Sequence, residues 1–172
     1  MVSGKQRLYI ALYARGGPGY HWALLVGPKD ESDSAQGKRY HARERFDPVT
    51  GRNKWYYEGL DIPMQPTGQL LVRIMIAKVE KPNRLEQLLS RVTLVQDDPN
   101  WRCKHWVRDG VLALNTDGKS LGTAQSDWDY LESMANWFVE LKKAQHRFDG
   151  QGSWDMMKVP TYDVLEGKET ME

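Results

Sequence analysis

The chain has 172 residues, one cysteine, and 24 basic against 23 acidic side chains, for a formal net charge of +1. That length fits a single domain, 1–172, and a hydrophobic fraction of 40% is enough to build a core. Near-neutral charge with no basic stripe excludes a nucleic-acid footprint, and one cysteine excludes both an internal disulfide and a thiolate-rich zinc site.

No apolar h-region follows Met1, so no signal peptide is expected. The longest apolar run, Leu70–Val79, is interrupted by Arg73 and Lys78 and falls short of the ~18 residues a membrane helix needs. The expectation is a cytoplasmic protein in a reducing compartment, with no stable membrane anchor and no cofactor or metal.

The first half reads as strands. Arg7–Ala14 is aromatic and apolar and ends at the turn Gly16-Gly17-Pro18-Gly19; Tyr20–Val26 follows and stops at Gly27-Pro28. The polar stretch Lys29–Gln36, including Asp30-Glu31-Ser32-Asp33, is expected as a solvated hairpin loop without calcium-loop spacing. Lys38–Phe46 is a third strand, with Tyr40 and Ala42 on one face and His41 on the other. Asp47–Gly51 is a turn, Lys54–Glu58 a fourth strand, and Leu70–Val79 the longest and central one. Links of hairpin length imply a largely antiparallel sheet.

The second half reads as helices. Asn83–Val92 places Leu85, Leu88, Leu89 and Val92 on one stripe. Asp97-Asp98-Pro99-Asn100 breaks the chain and supplies capping side chains. Trp101–Leu114 then carries Cys103, Trp106, Val107, Val111 and Leu114 on one stripe, and Gly110 permits close packing on the sheet. A turn at Asn115–Gly118 precedes a long helix from about Ala124 to Gln145, and Val159-Pro160-Thr161 is a short extended piece. The fold class is therefore α+β, an antiparallel sheet followed by helices packed on it.

Cys103 falls in the first turn of its predicted helix, where unpaired N–H groups and the macrodipole favour a thiolate and could hold an oxyanion. Taken alone, a lone cysteine is more often a small buried hydrophobe. His21 opens one strand and His41 lies in the next, so a hairpin of suitable register would bring both imidazoles to one face. His105 lies roughly 200° around the helix from Cys103, which suits a structural role. His146 ends the long helix and reads as a solvated C-terminal cap. The tryptophans Trp101, Trp106, Trp128 and Trp137 read as core and groove lining.

The segment His21-Trp22-Ala23-Leu24-Leu25-Val26-Gly27 resembles the histidine box of the lecithin-retinol-acyltransferase-like and phospholipase/acyltransferase group. Tyr40-His41-Ala42 fits the second histidine of that pattern, and Arg102-Cys103-Lys104-His105-Trp106-Val107 resembles its later cysteine box. The order His, His, Cys is similar to the circularly permuted papain-like (NlpC/P60-like) fold. The resemblance implies Cys103 as nucleophile, His21 as general base and His41 as the residue orienting it. It covers three short patches. Arg102 stands where that family has Asn and Lys104 where it has Glu. The C-terminal hydrophobic anchor common in that family is missing, so a membrane phospholipid is not the expected substrate. The HWALLVGP and C-terminal VLEGKE segments also resemble those of a filamentous-fungal group.

The expected function is a cysteine-dependent hydrolase or acyltransferase forming a thioester from an ester, thioester or amide, its partner a small acyl substrate or a peptide. Two alternatives stand beside it: a protein isopeptidase or deconjugating peptidase, and a catalytically silent binding module of the same fold. The oligomeric state is left open.

Overall fold

The computed structural model describes residues 4–29 and 35–172, so the expected solvated loop at Asp30-Glu31-Ser32-Asp33 and the residues Met1–Ser3 lie outside the described residues. Five strands come first: β1 (Arg7–Tyr13), β2 (His21–Gly27), β3 (Gln36–Asp47), β4 (Arg52–Pro63) and β5 (Leu70–Val79). Both β1 and β2 are buried at every position after their first, which is why they read as unbroken apolar runs rather than alternating ones. The strands lie in the order β4-β3-β2-β1-β5, each antiparallel to its neighbour.

Three helices follow. In α1 (Pro82–Ser90), a proline opens the first turn and Leu85 and Leu89 are buried. In α2 (Cys103–Asp117), the buried stripe is Cys103, Trp106, Val107, Gly110, Val111 and Leu114. This helix runs three residues past the expected end and stops at Gly118, whose φ of 67° makes the left-handed cap. In α3 (Trp128–Ala144), the Asp127 carboxylate caps the first turn by accepting from the Tyr130 N–H.

The helices do not simply succeed a finished sheet. Leu121–Ala124 forms β6 on β5 where the long helix was expected to begin; Asp127 supplies the cap that delays the helix. The strand β7 (Thr161–Asp163) then joins β5 in parallel, and β8 (Lys168–Met171) pairs antiparallel with β7. These late strands have three and four residues and polar sequences, so hydrophobic periodicity does not announce them. Tertiary contacts hold them instead: Arg73 Nε donates to Thr161 Oγ1 at 2.8 Å, and buried Lys142 of α3 pairs with Glu169 of β8. The result is a mixed α/β architecture, one large sheet with three helices.

Strand alternation separates two apolar clusters. Leu8, Ile10, Leu12, Trp22, Leu24, Tyr40 and Ala42 face the helices, together with Cys103 and Trp106. Tyr9, Ala11, Tyr13, Ala23, Leu25 and Met75 face the other side, under Met64. Among the described residues no helix is long and apolar enough to cross a membrane.

Gly110 sets how closely α2 approaches the sheet. A Cβ there would meet Leu89 Cδ2 at 3.1 Å and Leu24 Cδ1 at 3.4 Å. The larger Gly110→Val side chain must push α2 off β2, and overpacking of this kind costs about 1–3 kcal/mol. The urea midpoint of Gly110→Val is expected to fall accordingly; an unchanged midpoint would contradict the close approach.

Candidate functional site

The site is built where two strands part. The β2–β3 ladder runs through Val26↔Lys38 and Leu25↔Arg39 and ends at Leu24↔Tyr40. Continued, that register would set Ala42 opposite Trp22. Instead, the Trp22 N–H donates to Cys103 Sγ at 3.4 Å. The sulfur of the first residue of α2 therefore takes the place of a backbone acceptor. Two covalent bonds of about 1.3 and 1.5 Å separate the Trp22 nitrogen from His21 Cα, which puts that carbon within about 6 Å of the sulfur.

His21 and His41 leave the sheet on the side away from the helices. Trp22 points to the helix cluster, so alternation turns His21 the other way, beside its cross-strand partner Tyr13 (ring centroids 6.1 Å apart). His41, between Tyr40 and Ala42, turns the same way. The two imidazoles meet, His21 Nε2 to His41 Nδ1 at 2.6 Å, with rings edge-to-face at 74°. Beyond them stands Glu58, directly opposite His41 on β4, with its Oε1 2.8 Å from His41 Nε2. Its Oε2 accepts from Arg43 at 3.3 Å and Arg45 at 3.2 Å.

This chain fixes the tautomers. An ionised carboxylate only accepts, so His41 carries its proton on Nε2 and offers a lone pair at Nδ1. His21 must then donate from Nε2, which leaves its Nδ1 as the basic nitrogen. Among the described residues that Nδ1 makes no hydrogen bond, and no imidazole nitrogen is hydrogen-bonded to Sγ.

The electrostatics differ from the sequence expectation at the thiol. Cys103 is 4% exposed, and burial raises its pKa; the Trp22 and Lys104 N–H groups and the Arg15 charge oppose this without reversing it. The helix start is present, but the resting group is a thiol. His21 is pushed down to about 4, first by burial and then by His41, Arg39, Arg15 and Arg43. Burial also lowers His41 against the opposing bond to Glu58, while the His41 bond holds Glu58 below the ordinary carboxylate value. At neutral pH both imidazoles are uncharged.

The remaining histidines have local roles. His105 Nδ1 accepts from the Arg102 N–H at 2.9 Å, capping the helix that carries Cys103. His146 lies just past α3 at φ 62° and pairs with Asp149 at 2.6 Å in solvent. Asp98 forms the turn before α2 by accepting from the Asn100 N–H at 2.9 Å. Trp101 and Trp106 are buried, whereas Trp137 is half exposed. Among the described residues no group of three or more His, Cys, Asp or Glu side chains could hold a metal ion. A cavity of about 330 Å³ opens away from this chemistry, bounded by Tyr9, Arg73 and Asp163, and neither Cys103 nor His21 lines it.

Sequence reasoning missed Glu58, although a signal existed. The loop Pro48–Gly51 has four residues and closes the Asp47↔Arg52 pair; counting back six positions on each strand gives His41↔Glu58.

A family model of unknown function, DUF6914, matches residues 5–171. The chain belongs to that family. The match spans β1 through β8 and includes His21, His41, Glu58 and Cys103. No curated protein and no solved structure matches the chain.

The buried histidines make stability depend on acid. His21 folds with a pKa near 4 against an unfolded value near 6.5, so the unfolded chain binds the extra proton between those values. Stability is therefore lost as pH falls from about 6.5 toward 4, by at most ~3 kcal/mol for this group. Glu58, with a depressed pKa, adds stability above its unfolded value that is lost as pH falls further. Urea unfolding from pH 7.5 down to 4.5 is expected to show this decline, and His21→Gln is expected to flatten it. A wild-type profile as flat as the variant's would contradict a neutral buried His21.

Proposed function

We propose that the chain is a cysteine-dependent hydrolase or acyltransferase on a circularly permuted papain-like (NlpC/P60-like) fold, acting through a thioester on an ester, thioester or amide. The observation that carries this reading is the ordered hydrogen-bond chain Glu58–His41–His21, whose last member directly precedes the residue that donates its N–H to the sulfur of a helix-initial cysteine. A nucleophile at a helix start, a base next to it and a group that orients the base are the recurring parts of nucleophilic catalysis.

In this reading, His21 Nδ1 takes the thiol proton as Sγ bonds to the substrate carbonyl carbon. The Cys103 N–H at the start of α2 faces the developing oxyanion. The bond to the leaving group then breaks, and the leaving group departs with the proton from His21. Water or another acceptor, deprotonated by His21, attacks the thioester and restores the thiol. His41 holds the tautomer throughout, and Glu58 stabilises the positive charge that passes onto the imidazoles. A small acyl compound or a peptide would serve as substrate, in a reducing, cytoplasmic setting that keeps the lone thiol free.

The raised thiol pKa shapes the mechanism. Burial holds the thiol up and the imidazole down to about 4, so the resting thiolate–imidazolium pair is disfavoured on both sides. Proton transfer must therefore accompany attack on a bound substrate. That same observation favours a second reading, a silent binding module of this fold.

Alkylation separates the two. For the enzyme, iodoacetamide labels Cys103 in the native protein at pH 7.5, more slowly than in urea because the thiol is buried and protonated, and His21→Ala slows that native labelling about tenfold or more. Cys103→Ser is expected to lower thioester turnover by about a thousandfold or more. Native labelling unmoved by His21→Ala, with no turnover of thioesters, would favour the silent module.

A further inference from the structure

The side of the sheet that carries His21 and His41 also carries an excess of guanidinium groups. Along β3, residues 39, 41, 43 and 45 share one face and read Arg, His, Arg, Arg. Their partners on β4 are Leu60, Glu58, Tyr56 and Lys54. Lys54 is answered by Asp47 at 2.9 Å, and the single carboxylate Glu58 serves His41, Arg43 and Arg45 together.

Two further guanidinium groups at this end of the sheet have no carboxylate partner among the described residues, although Arg39 bonds to the Tyr13 side chain. Arg39 lies over the Tyr13 ring, 5.4 Å from its centroid, and Tyr13 is the cross-strand neighbour of His21. Arg15 stands two residues beyond Tyr13, exposed on the glycine-rich turn that leads into His21. Neither forms an ion pair among the described residues. Among the described residues, Arg39, Arg43 and Arg45 on this face of β3 and Arg15 on the nearby turn are set against one carboxylate, Glu58. Such an imbalance is a recognition feature rather than a by-product of composition, since a stability-neutral surface would intersperse the two signs.

We propose that this site selects acyl substrates bearing a negative charge near the reacting carbonyl, with Arg15 and Arg39 as the groups that receive that charge. The proposal rests on the reading of Cys103 as the nucleophile and adds the substrate class. The field of Arg15 reaches both reacting groups: its charge acts on the Cys103 thiol and on the His21 imidazole. A carboxylate or phosphate brought to Arg15 and Arg39 would offset that field, which adds to burial and His41 in lowering His21.

The test uses two alkylating agents of nearly equal size, neutral iodoacetamide and anionic iodoacetate. Each forms a C–S bond at Cys103 as its C–I bond breaks, releasing iodide, and the thiol proton passes to His21 or buffer. Cys103 is the sole cysteine, so mass spectrometry reads its rate directly. The ratio of iodoacetate to iodoacetamide rates is expected to be at least about threefold higher in the native protein than in urea. About 0.5 M salt should collapse that excess, as should Arg15→Gln, while Arg15→Lys retains most of it. A native ratio no higher than the unfolded one, or a ratio unmoved by Arg15→Gln, overturns the proposal. The iodoacetamide rate alone judges the nucleophile, so the two readings fail separately. Should neither reagent label the native protein, NMR titration of His21 decides: Arg15→Gln must raise its pKa, and an unmoved pKa overturns the proposal.

Discussion

Everything at the candidate site depends on one contact, the Trp22 amide donating to the Cys103 sulfur. A buried N–H needs an acceptor. Where β3 turns away from β2, the backbone acceptor that Trp22 would have found is gone. A sulfur fills the position, and it does so only because α2 begins at Cys103 and lies close over β2. Gly110, two turns along, allows that closeness. Strand separation, helix start and packing distance are thus a single constraint. They hold the sulfur in the helix-side core, on the amide of the residue next to His21.

That location explains an otherwise awkward division. Cys103 belongs to the helix-side cluster and the imidazoles to the opposite side, so a flat, fully paired sheet would stand between them. The gap in the ladder removes that barrier. It also explains the direction of the pKa shifts. The sulfur lies in the apolar cluster with Trp22 and Trp106 and stays protonated, while the imidazoles, lowered first by burial and then by nearby positive charge, stay neutral. A proposed base that is neutral and oriented, next to a thiol that is neutral and fixed, trades resting reactivity for control. Chemistry would begin only when a substrate supplies the charge that moves the proton.

How far this was legible in the sequence varies by element. The strands β1, β2 and β5 were readable because burial on both faces leaves long apolar runs, and α2 because its stripe repeats at helical spacing. The capping run Asp97–Asn100 pointed to a start at Trp101; the helix begins two residues later, at Cys103, because Arg102 is the N-cap and its N–H is taken by His105 Nδ1. The strands β6, β7 and β8 were not readable; they are short and polar, held by Arg73–Thr161 and Lys142–Glu169 contacts between residues far apart in sequence. At the site, that His21 and His41 could share a face followed from period-two alternation. Their meeting depended on register, which polar strand ends do not specify. Glu58 was within reach of turn counting. The burial of the thiol was legible from its place on the apolar stripe of α2; its bond from the Trp22 N–H was not, because that arises where two strands read as an ordinary hairpin stop pairing.

The third member of the chain argues most strongly against an accidental cluster. Two neutral imidazoles 2.6 Å apart could settle with either nitrogen protonated, and a pair left to itself would point its basic nitrogen either way. Glu58 breaks that symmetry, since a carboxylate can only accept. Keeping it ionised in a largely buried place takes positive charge, which Arg43 and Arg45 supply from the same face of β3. The cost is that those arginines also oppose protonation of His21. A purely structural ion network would gain nothing from passing through two neutral rings to reach an Nδ1 that makes no hydrogen bond among the described residues. Glu58 could pair with Arg43 and Arg45 alone. The two imidazoles are the part of this network that stability does not require, and they are the part that a proton-transfer site needs.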